Sequence, residues 1–235
     1  MLDAHCHLDA FPDIEEIIKR SGQKLSAIIT CGYSVETSQK AVDIARRYSD
    51  FVFPIVGVAP QTAMKMRSKD WKMEIPENAI AIGEIGLDFH WARTEEEKNL
   101  QRECFTFFLK IADEIGLPVV IHSRDSYDEV LSTLDMYALK GVMLHCFSGK
   151  LEHAKIAEQR RYTISLPPIP SKTRKDAITK TNVAYVVESD SPYIGKTPLD
   201  TIIAAEFASK ARMKSLEDID KETTNTAMKL FKLKI

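Results

Sequence analysis

Short apolar runs alternate along this chain with longer segments whose apolar residues recur every three to four positions. The short runs predict eight strands: Leu2–Leu8, Ser26–Gly32, Phe51–Val58, Ala79–Ile85, Leu117–Ile121, Gly141–Leu144, Tyr162–Leu166 and Val183–Val187. The longer spacing predicts helices over Ile14–Arg20, from a Ser34 cap to Tyr48, from a Thr94 cap to Ile115, and over Tyr127–Leu139 and Leu151–Gln159. Three more follow at Ser171–Thr179, Leu199–Lys210 and Leu216–Lys232. Glu95 to Glu97 suit the positive end of the helix that Thr94 opens, and Gly116 stops it. Thr62–Pro76 is polar and methionine-rich and reads as a loop with a short helix. Pro54 lacks a ladder donor and weakens the start of the third strand.

Near-continuous apolar strands separated by helices indicate a parallel sheet covered on both faces. Eight strand–helix units of about 29 residues each predict an α/β fold, a TIM-like (β/α)8 barrel. No Pro/Gly/Ser linker divides the chain, so residues 1–235 are expected to form one domain.

Composition adds little to that picture and removes several alternatives. With 44% hydrophobic and 28% charged residues, 9 Gly and 10 Pro, the chain is neither disordered, collagen-like nor mainly coiled coil. A net charge of −2 argues against a strongly basic nucleic-acid scaffold but leaves room for a local phosphate-binding cleft. No apolar run approaches the roughly 18 residues of a spanning helix, so no membrane partner is expected. Met1–His5 has no secretory pattern, and Cys6, Cys31, Cys104 and Cys146 form no C-x-x-C pair. Reduced thiols in the cytoplasm are therefore expected, and nothing implies an obligate protein partner.

The chemistry gathers at the strand ends. Asp3, His5, His7 and Asp9 lie on or just after the first strand, Glu84 and Asp88 at the fourth, His122 at the fifth, His145 at the sixth and Asp190 at the eighth. In a barrel these ends converge on the face where active sites are built. Strand side chains alternate, so His5 and His7 point the same way and can hold one metal ion. Glu84 and Asp190 bring carboxylates to it. A second ion would suit His122 and His145 with Glu84 bridging, and paired divalent ions are the usual clamp for phosphoester hydrolysis. Imidazole with carboxylate suits Zn, Mn, Fe or Co, and an oxygen-rich site leans to Mg. Any one of these residues has an ordinary structural use as a core histidine or helix cap. Their conjunction at five strand ends does not.

Other candidates stand further out. Arg124 follows His122 and is either a phosphate clamp or a scaffold partner of Asp88 or Asp125. Lys172 and Arg174 belong to a small basic patch that meets either a phosphate backbone or solvent. Phe89, His90 and Trp91 either stack on a base or sugar or pack their own loop.

Together these residues resemble the TatD family of metal-dependent hydrolases. The matching pieces are DAHCHLD from Asp3, GEIGLDFH from Gly83, Gln101 with Phe105, LPVVIHSRDS from Leu117, HCFSG from His145 and ESDSPY from Glu188, with TTNTAMKLF from Thr223 similar to the closing helix. The resemblance implies a TIM-like barrel and a DNase, a phosphodiester hydrolase often of 3′-to-5′ exonuclease character, with two divalent ions. His5, His7 and Asp190 would serve the first ion and His122 and His145 the second. Glu84 would bridge, and Asp190 would orient or deprotonate the attacking water. A weaker expectation makes His90 a proton donor to the leaving oxygen.

Three departures border the substrate mouth. Family members commonly have Gly-x-His-Pro after the third strand, where this chain has Gly57-Val-Ala-Pro60 with Ala59 in the histidine's place. A Gly-rich end to the seventh strand is replaced by Leu166-Pro-Pro-Ile-Pro170, and the loop after the eighth is cut to Ile194-Gly-Lys-Thr-Pro198. These leave two alternatives to a DNase. One is hydrolysis of a small phosphoester, lactone or amide on the same barrel, and the other is a non-enzymatic binding protein.

Overall fold

The computed structural model describes residues 1–66 and 70–234. Arg67–Lys69, within the predicted loop, and Ile235 lie outside the described residues. Eight strands form one parallel sheet in sequence order: β1 (Leu2–Cys6), β2 (Ala27–Cys31), β3 (Val52–Val56), β4 (Ala81–Asp88), β5 (Val119–Arg124), β6 (Val142–Leu144), β7 (Thr163–Leu166) and β8 (Ala184–Val187). Helices α1 (Ile14–Ser21), α2 (Val35–Arg47), α3 (Pro60–Ala63), α4 (Glu95–Ile115), α5 (Tyr127–Leu134), α6 (Leu151–Gln159), α7 (Lys172–Lys180), α8 (Thr201–Arg212) and α9 (Leu216–Phe231) connect and cover it. This is the expected (β/α)8 barrel.

The outer strand faces and the helices share one apolar cluster that includes Ile82, Ile85, Leu87, Phe105, Phe108 and Leu131. A second cluster fills the lumen, with Leu2, Ala4, Ile29, Ile55, Val120 and Val186 among its members, and Ala227 and Phe231 of α9 pack onto it. That plug leaves only one end of the barrel free for a polar site.

The two edge strands meet at a seam held by individual hydrogen bonds. Asp190 N donates to His5 O at 2.9 Å and His7 N to Ser191 O at 2.8 Å. The Asp3 carboxylate, fully buried, accepts from Ser189 N at 2.8 Å and Ser189 Oγ at 2.6 Å. The seam therefore fixes His5, His7 and Asp190 relative to one another.

Several boundaries differ from expectation. β1 stops at Cys6, so His7 lies just past the strand, before a 3-10 turn at Leu8–Ala10. β4 and β5 run three residues further than predicted, to Asp88 and Arg124, and His122 lies inside its strand rather than just past it. The predicted helix to Leu139 ends at Leu134. There the chain tightens into turns with Met136 N bonded to Thr133 O and Tyr137 N to Leu134 O, and the apolar spacing beyond belongs to a loop. The short helix falls at Pro60–Ala63, with Pro60 at its first position, where the missing N–H costs nothing. The predicted caps are present: Ser34 and Thr94 each accept from the backbone three residues on, and Gly116 ends α4 at φ 71°.

Candidate metal centre

Two β-bulges aim the site. Between Asp3 and Cys6, β1 spends three steps where β2 spends two, and β4 does the same against β5 between Ile82 and Ile85. The extra residue breaks simple alternation and turns His5 and Glu84 into the lumen. Beside the second bulge β4 passes so close to β5 that a Cβ on Gly86 would lie 2.0 Å from His122 O. Gly86 also sits at φ 142°, so the glycine is needed on both counts.

Four donor atoms converge at the mouth. His5 Nε2 and His7 Nε2 are 3.2 Å apart. Glu84 Oε2 lies 3.8 Å from His5 Nε2 and 3.9 Å from His7 Nε2, and Asp190 Oδ1 lies 3.9 and 3.4 Å from the same two atoms. A tetrahedral ion with bonds of about 2.0–2.1 Å has ligand–ligand edges of about 3.3 Å. The edges at His5 and His7 run from 3.2 to 3.9 Å, from about that size to somewhat wider, and His5, His7 and Asp190 form the tighter group. His7 Nδ1 donates to Cys31 O at 2.8 Å, which leaves the Nε2 lone pair facing the centre.

Glu84 turns its other oxygen to a second group. Oε1 is 2.7 Å from His122 Nδ1, and Glu84, His122 and His145 each place a donor atom within 4.8 Å of the others. Asp190 is shared in the same way, with Oδ2 3.7 Å from His145 Nε2. The His122 and His145 rings are braced from behind. His122 Nε2 meets Asp88 Oδ2 at 2.8 Å, and His145 Nδ1 meets Glu188 Oε2 at 2.9 Å. Two backbone positions here adopt left-handed φ, Cys146 at 47° and Asp190 at 46°, at a cost of about 1 kcal/mol each. Hydrogen bonds from Cys146 N to Glu188 and from Asp190 N to His5 O hold them.

The electrostatics call for a cation. Glu84, Asp88, Glu188 and Asp190 are all buried. Among the described residues every ion pair they make is with a histidine. Burial by itself lowers the His122 imidazole, but hydrogen bonds to Asp88 and Glu84 outweigh it and carry the group up to about 9. His145 is likewise lowered by burial and raised more strongly by Glu188 and Asp190, to about 10. Burial raises Glu84, yet its hydrogen bond to His122 and the nearby His145 hold it well below the usual carboxylate range. His5, buried among the other imidazoles, is pushed well down and stays neutral, with a free lone pair. Protons on His122 and His145 thus supply the positive charge that divalent ions would supply, and the residues fit such ions.

A cavity of about 820 Å³ opens above these groups, lined in part by Tyr33, Gln61, Lys65, Trp91, Arg124 and Tyr193. Five of the six predicted donors, His7, Glu84, His122, His145 and Asp190, line it, and His5 is fully buried beside His7. The substrate candidates divide. Arg124 lines the cavity with its guanidinium 6.0 Å from the Trp91 ring centre, and pairs with neither Asp88 nor Asp125. His90 lies outside the lining residues, 3.4 Å from Asp125 and edge-on to Trp91. Lys172 sits exposed on α7, also away from the cavity. Arg174 is 7% exposed and donates to Phe147 O at 2.7 Å and Ile169 O at 2.8 Å, so its guanidinium pins loops rather than facing a phosphate. Sequence reasoning gave no role to Glu188 or Gln61 and left Asp88 as a helix-cap or ion-pair alternative. Gln61 Nε2 donates to Asp88 Oδ2 at 2.6 Å, and its only signal is its place two residues after the missing histidine.

No helix among the described residues is long and apolar enough to cross a membrane. The four cysteines are free thiols.

Comparisons with known proteins identify the family. The model of the family described as TatD related DNase matches residues 2–232. An uncharacterized metal-dependent hydrolase of Bacillus subtilis, YabD, is 30% identical over 256 aligned residues, covering 99% of each chain. The human deoxyribonuclease TATDN3 is 28% identical, covering 98% of this chain and 94% of its own. The crystal structure of the TatD homologue YjjV from Escherichia coli superposes with a TM-score of 0.88 at 24% identity, over 100% of this chain and 98% of that one. The chain belongs to the TatD-related DNase family and is a metal-dependent hydrolase of that type.

Proposed function

We propose that this chain hydrolyses phosphodiester bonds of DNA or a related single-stranded nucleic acid at a pair of divalent ions. The carrying observation is Glu84, whose two oxygens face two separate donor groups on one cavity floor. His5, His7 and Asp190 complete one group, and His122 and His145 the other. When bound, such ions lower the pKa of a water toward neutrality and neutralise charge on the transferring oxygens. The chain's own residues do the rest. Asp190 spans both groups and faces the cavity, where its carboxylate accepts the proton of the attacking water. Asp88 and Glu188 keep the His122 and His145 rings oriented. Arg124 and Lys65 give the wall the positive charge that a phosphate backbone needs. Residues 1–235 act as one catalytic unit with no membrane or protein partner required, as fits a cytoplasmic enzyme.

The test is a cleavage screen of chelator-stripped protein resupplied with Mg, Mn, Zn or Co. Single-stranded DNA, RNA and a small phosphodiester are offered side by side, each oligonucleotide labelled at one end. Metal-restored cleavage of oligonucleotides that His145→Ala abolishes is expected. Faster turnover of the small ester than of any oligonucleotide would select the small-substrate alternative, and silence with all four metals would remove the hydrolase reading.

A further inference from the structure

The cavity walls carry aromatic rings that the core does not use. Tyr193, in the loop after β8, is 59% exposed. Its ring lies 5.0 Å from the His7 ring and 6.3 Å from that of Tyr33, nearly perpendicular to it at 78°. Trp91, in the loop after β4, is 49% exposed and carries the Arg124 guanidinium over its ring. Both rings line the same cavity as Glu84, His122 and Asp190. In an eight-stranded barrel, strands four apart stand on opposite sides of the axis. Tyr193 and Trp91 are therefore on opposing walls, with the donor groups between them.

A single exposed aromatic residue needs no explanation. Two on opposite walls of one polar cavity, each with its own neighbour and each flanking the reacting centre, have a shape that matches a ligand. The ligand must offer two flat apolar faces separated by an anionic link. Two adjacent nucleotides offer that, because each base has a π-face and the phosphodiester lies between them.

Resting on the nucleic-acid reading above, we infer that the mouth is a two-sided base clamp. The nucleotide on one side of the scissile phosphodiester stacks its base on Tyr193, which Tyr33 backs. The nucleotide on the other side stacks on Trp91, and Arg124 meets the adjoining phosphate. Such a clamp tolerates any base, since stacking reads no hydrogen-bond pattern, and it excludes paired strands, whose base faces are covered. Its substrate unit is a dinucleotide.

The test uses the manganese-loaded protein and short oligodeoxynucleotides in which a tetrahydrofuran abasic unit replaces the nucleotide immediately 5′ or immediately 3′ of the cleaved bond. Each lesion is expected to raise KM by about 5- to 150-fold, the range of one lost base–aromatic stack, with kcat changing much less. Tyr193→Ala and Trp91→Ala should each do the same on the intact oligonucleotide, and Tyr193→Phe and Trp91→Phe should restore most of the loss by keeping a ring. Tyr193→Ala should be non-additive with one lesion and additive with the other, and Trp91→Ala should show the reverse. Lesions without effect on KM, or both substitutions coupling to the same side, overturn the clamp while leaving the nuclease reading intact. Failure of the unsubstituted protein to cleave any oligonucleotide overturns both.

Discussion

Glu188 grips His145 from the side away from the cavity: its Oε2 accepts from the imidazole Nδ1 at 2.9 Å, while its Oε1 accepts from Cys146 N at 2.8 Å. Both bonds need an acceptor, and a carboxylate supplies two. With Nδ1 protonated, Nε2 offers its lone pair to the centre. Glu188→Gln breaks this symmetry, because one arm becomes an N–H donor facing another donor. We expect it to weaken divalent-ion affinity about 10- to 100-fold. Competition against a chromophoric chelator measures this directly, and an unchanged affinity would count against the bracing role.

Asp88 does the same for His122 with an extra support. Its Oδ2 accepts from both His122 Nε2 and Gln61 Nε2, its backbone N–H donates to Gln101 Oε1 at 2.8 Å, and Oδ1 accepts from Trp91 N at 3.2 Å. The carboxylate is thus fixed by three bonds, from β5, α3 and the loop after β4, and its backbone by a fourth, to α4. Asp88→Asn should cost affinity in the same 10- to 100-fold range, about equal to Glu188→Gln, because it strikes the ring directly. Gln61→Ala removes one of several supports and should cost only a few-fold. Calorimetric titration with Mn orders the two, and a larger loss for Gln61→Ala than for Asp88→Asn would reverse the assignment.

Metal binding should carry a definite pH signature. In the metal-free protein His122 sits at about 9 and His145 at about 10, both above the ordinary 6.5. A histidine raised on folding contributes stability that is full below 6.5 and is lost as pH rises through its folded value. Metal-free protein should therefore lose melting temperature between about pH 6.5 and 10. Glu84 works at the other end. Held below its ordinary 4.5, it contributes stability above that pH and loses it as pH falls through the folded value. An ion must displace the histidine protons, so its affinity should climb with pH across neutrality, and binding at pH 7 should release protons. Titration in buffers of different ionisation heat reads that release, and heats independent of buffer would contradict it.

The donor residues were legible because each closes an apolar run, and an imidazole or carboxylate at the end of a buried strand has few other uses. Their aim was not legible. Strict alternation along β4 makes Glu84 share a face with Ile82, which packs on the outer cluster, and only the bulge between Ile82 and Ile85 sends it inward. Register shifts of this kind depend on the partner strand and leave no mark in one segment's pattern. The bracing groups were hidden for a related reason. Glu188 is 43 residues from His145 and Asp88 is 34 from His122, so no local spacing links them. Arg174 misled in the opposite direction. A Lys-Thr-Arg-Lys stretch reads as a charged surface, but a long side chain can turn back, and this one ends on the carbonyls of Phe147 and Ile169.

The seam between β1 and β8 gives the last prediction. Asp3 is fully buried and bonds Ser189 twice, at 2.8 Å through the backbone and 2.6 Å through the hydroxyl, standing in for ladder bonds between the edge strands. Ser189 Oγ in turn accepts from Ser191 N at 3.2 Å and lies 2.9 Å from Ser191 Oγ, so one carboxylate organises the stretch that carries Asp190. Asp3→Ala leaves a buried N–H without a partner and a void beside it, at a cost of about 2–4 kcal/mol. At this chain length that corresponds to a fall of roughly 5–15 °C in melting temperature. Asp3→Asn keeps an acceptor for Ser189 N and lets the hydroxyl turn to accept, so it should cost about 1 kcal/mol. Because the seam also sets the spacing of His5, His7 and Asp190, the alanine variant should bind Mn more weakly even at temperatures where it remains folded. Thermal melts with and without Mn separate the two effects: the stabilisation that Mn gives should shrink in Asp3→Ala and persist in Asp3→Asn. Equal Mn-dependent shifts in all three proteins would show that the seam closes the barrel without setting the metal donors.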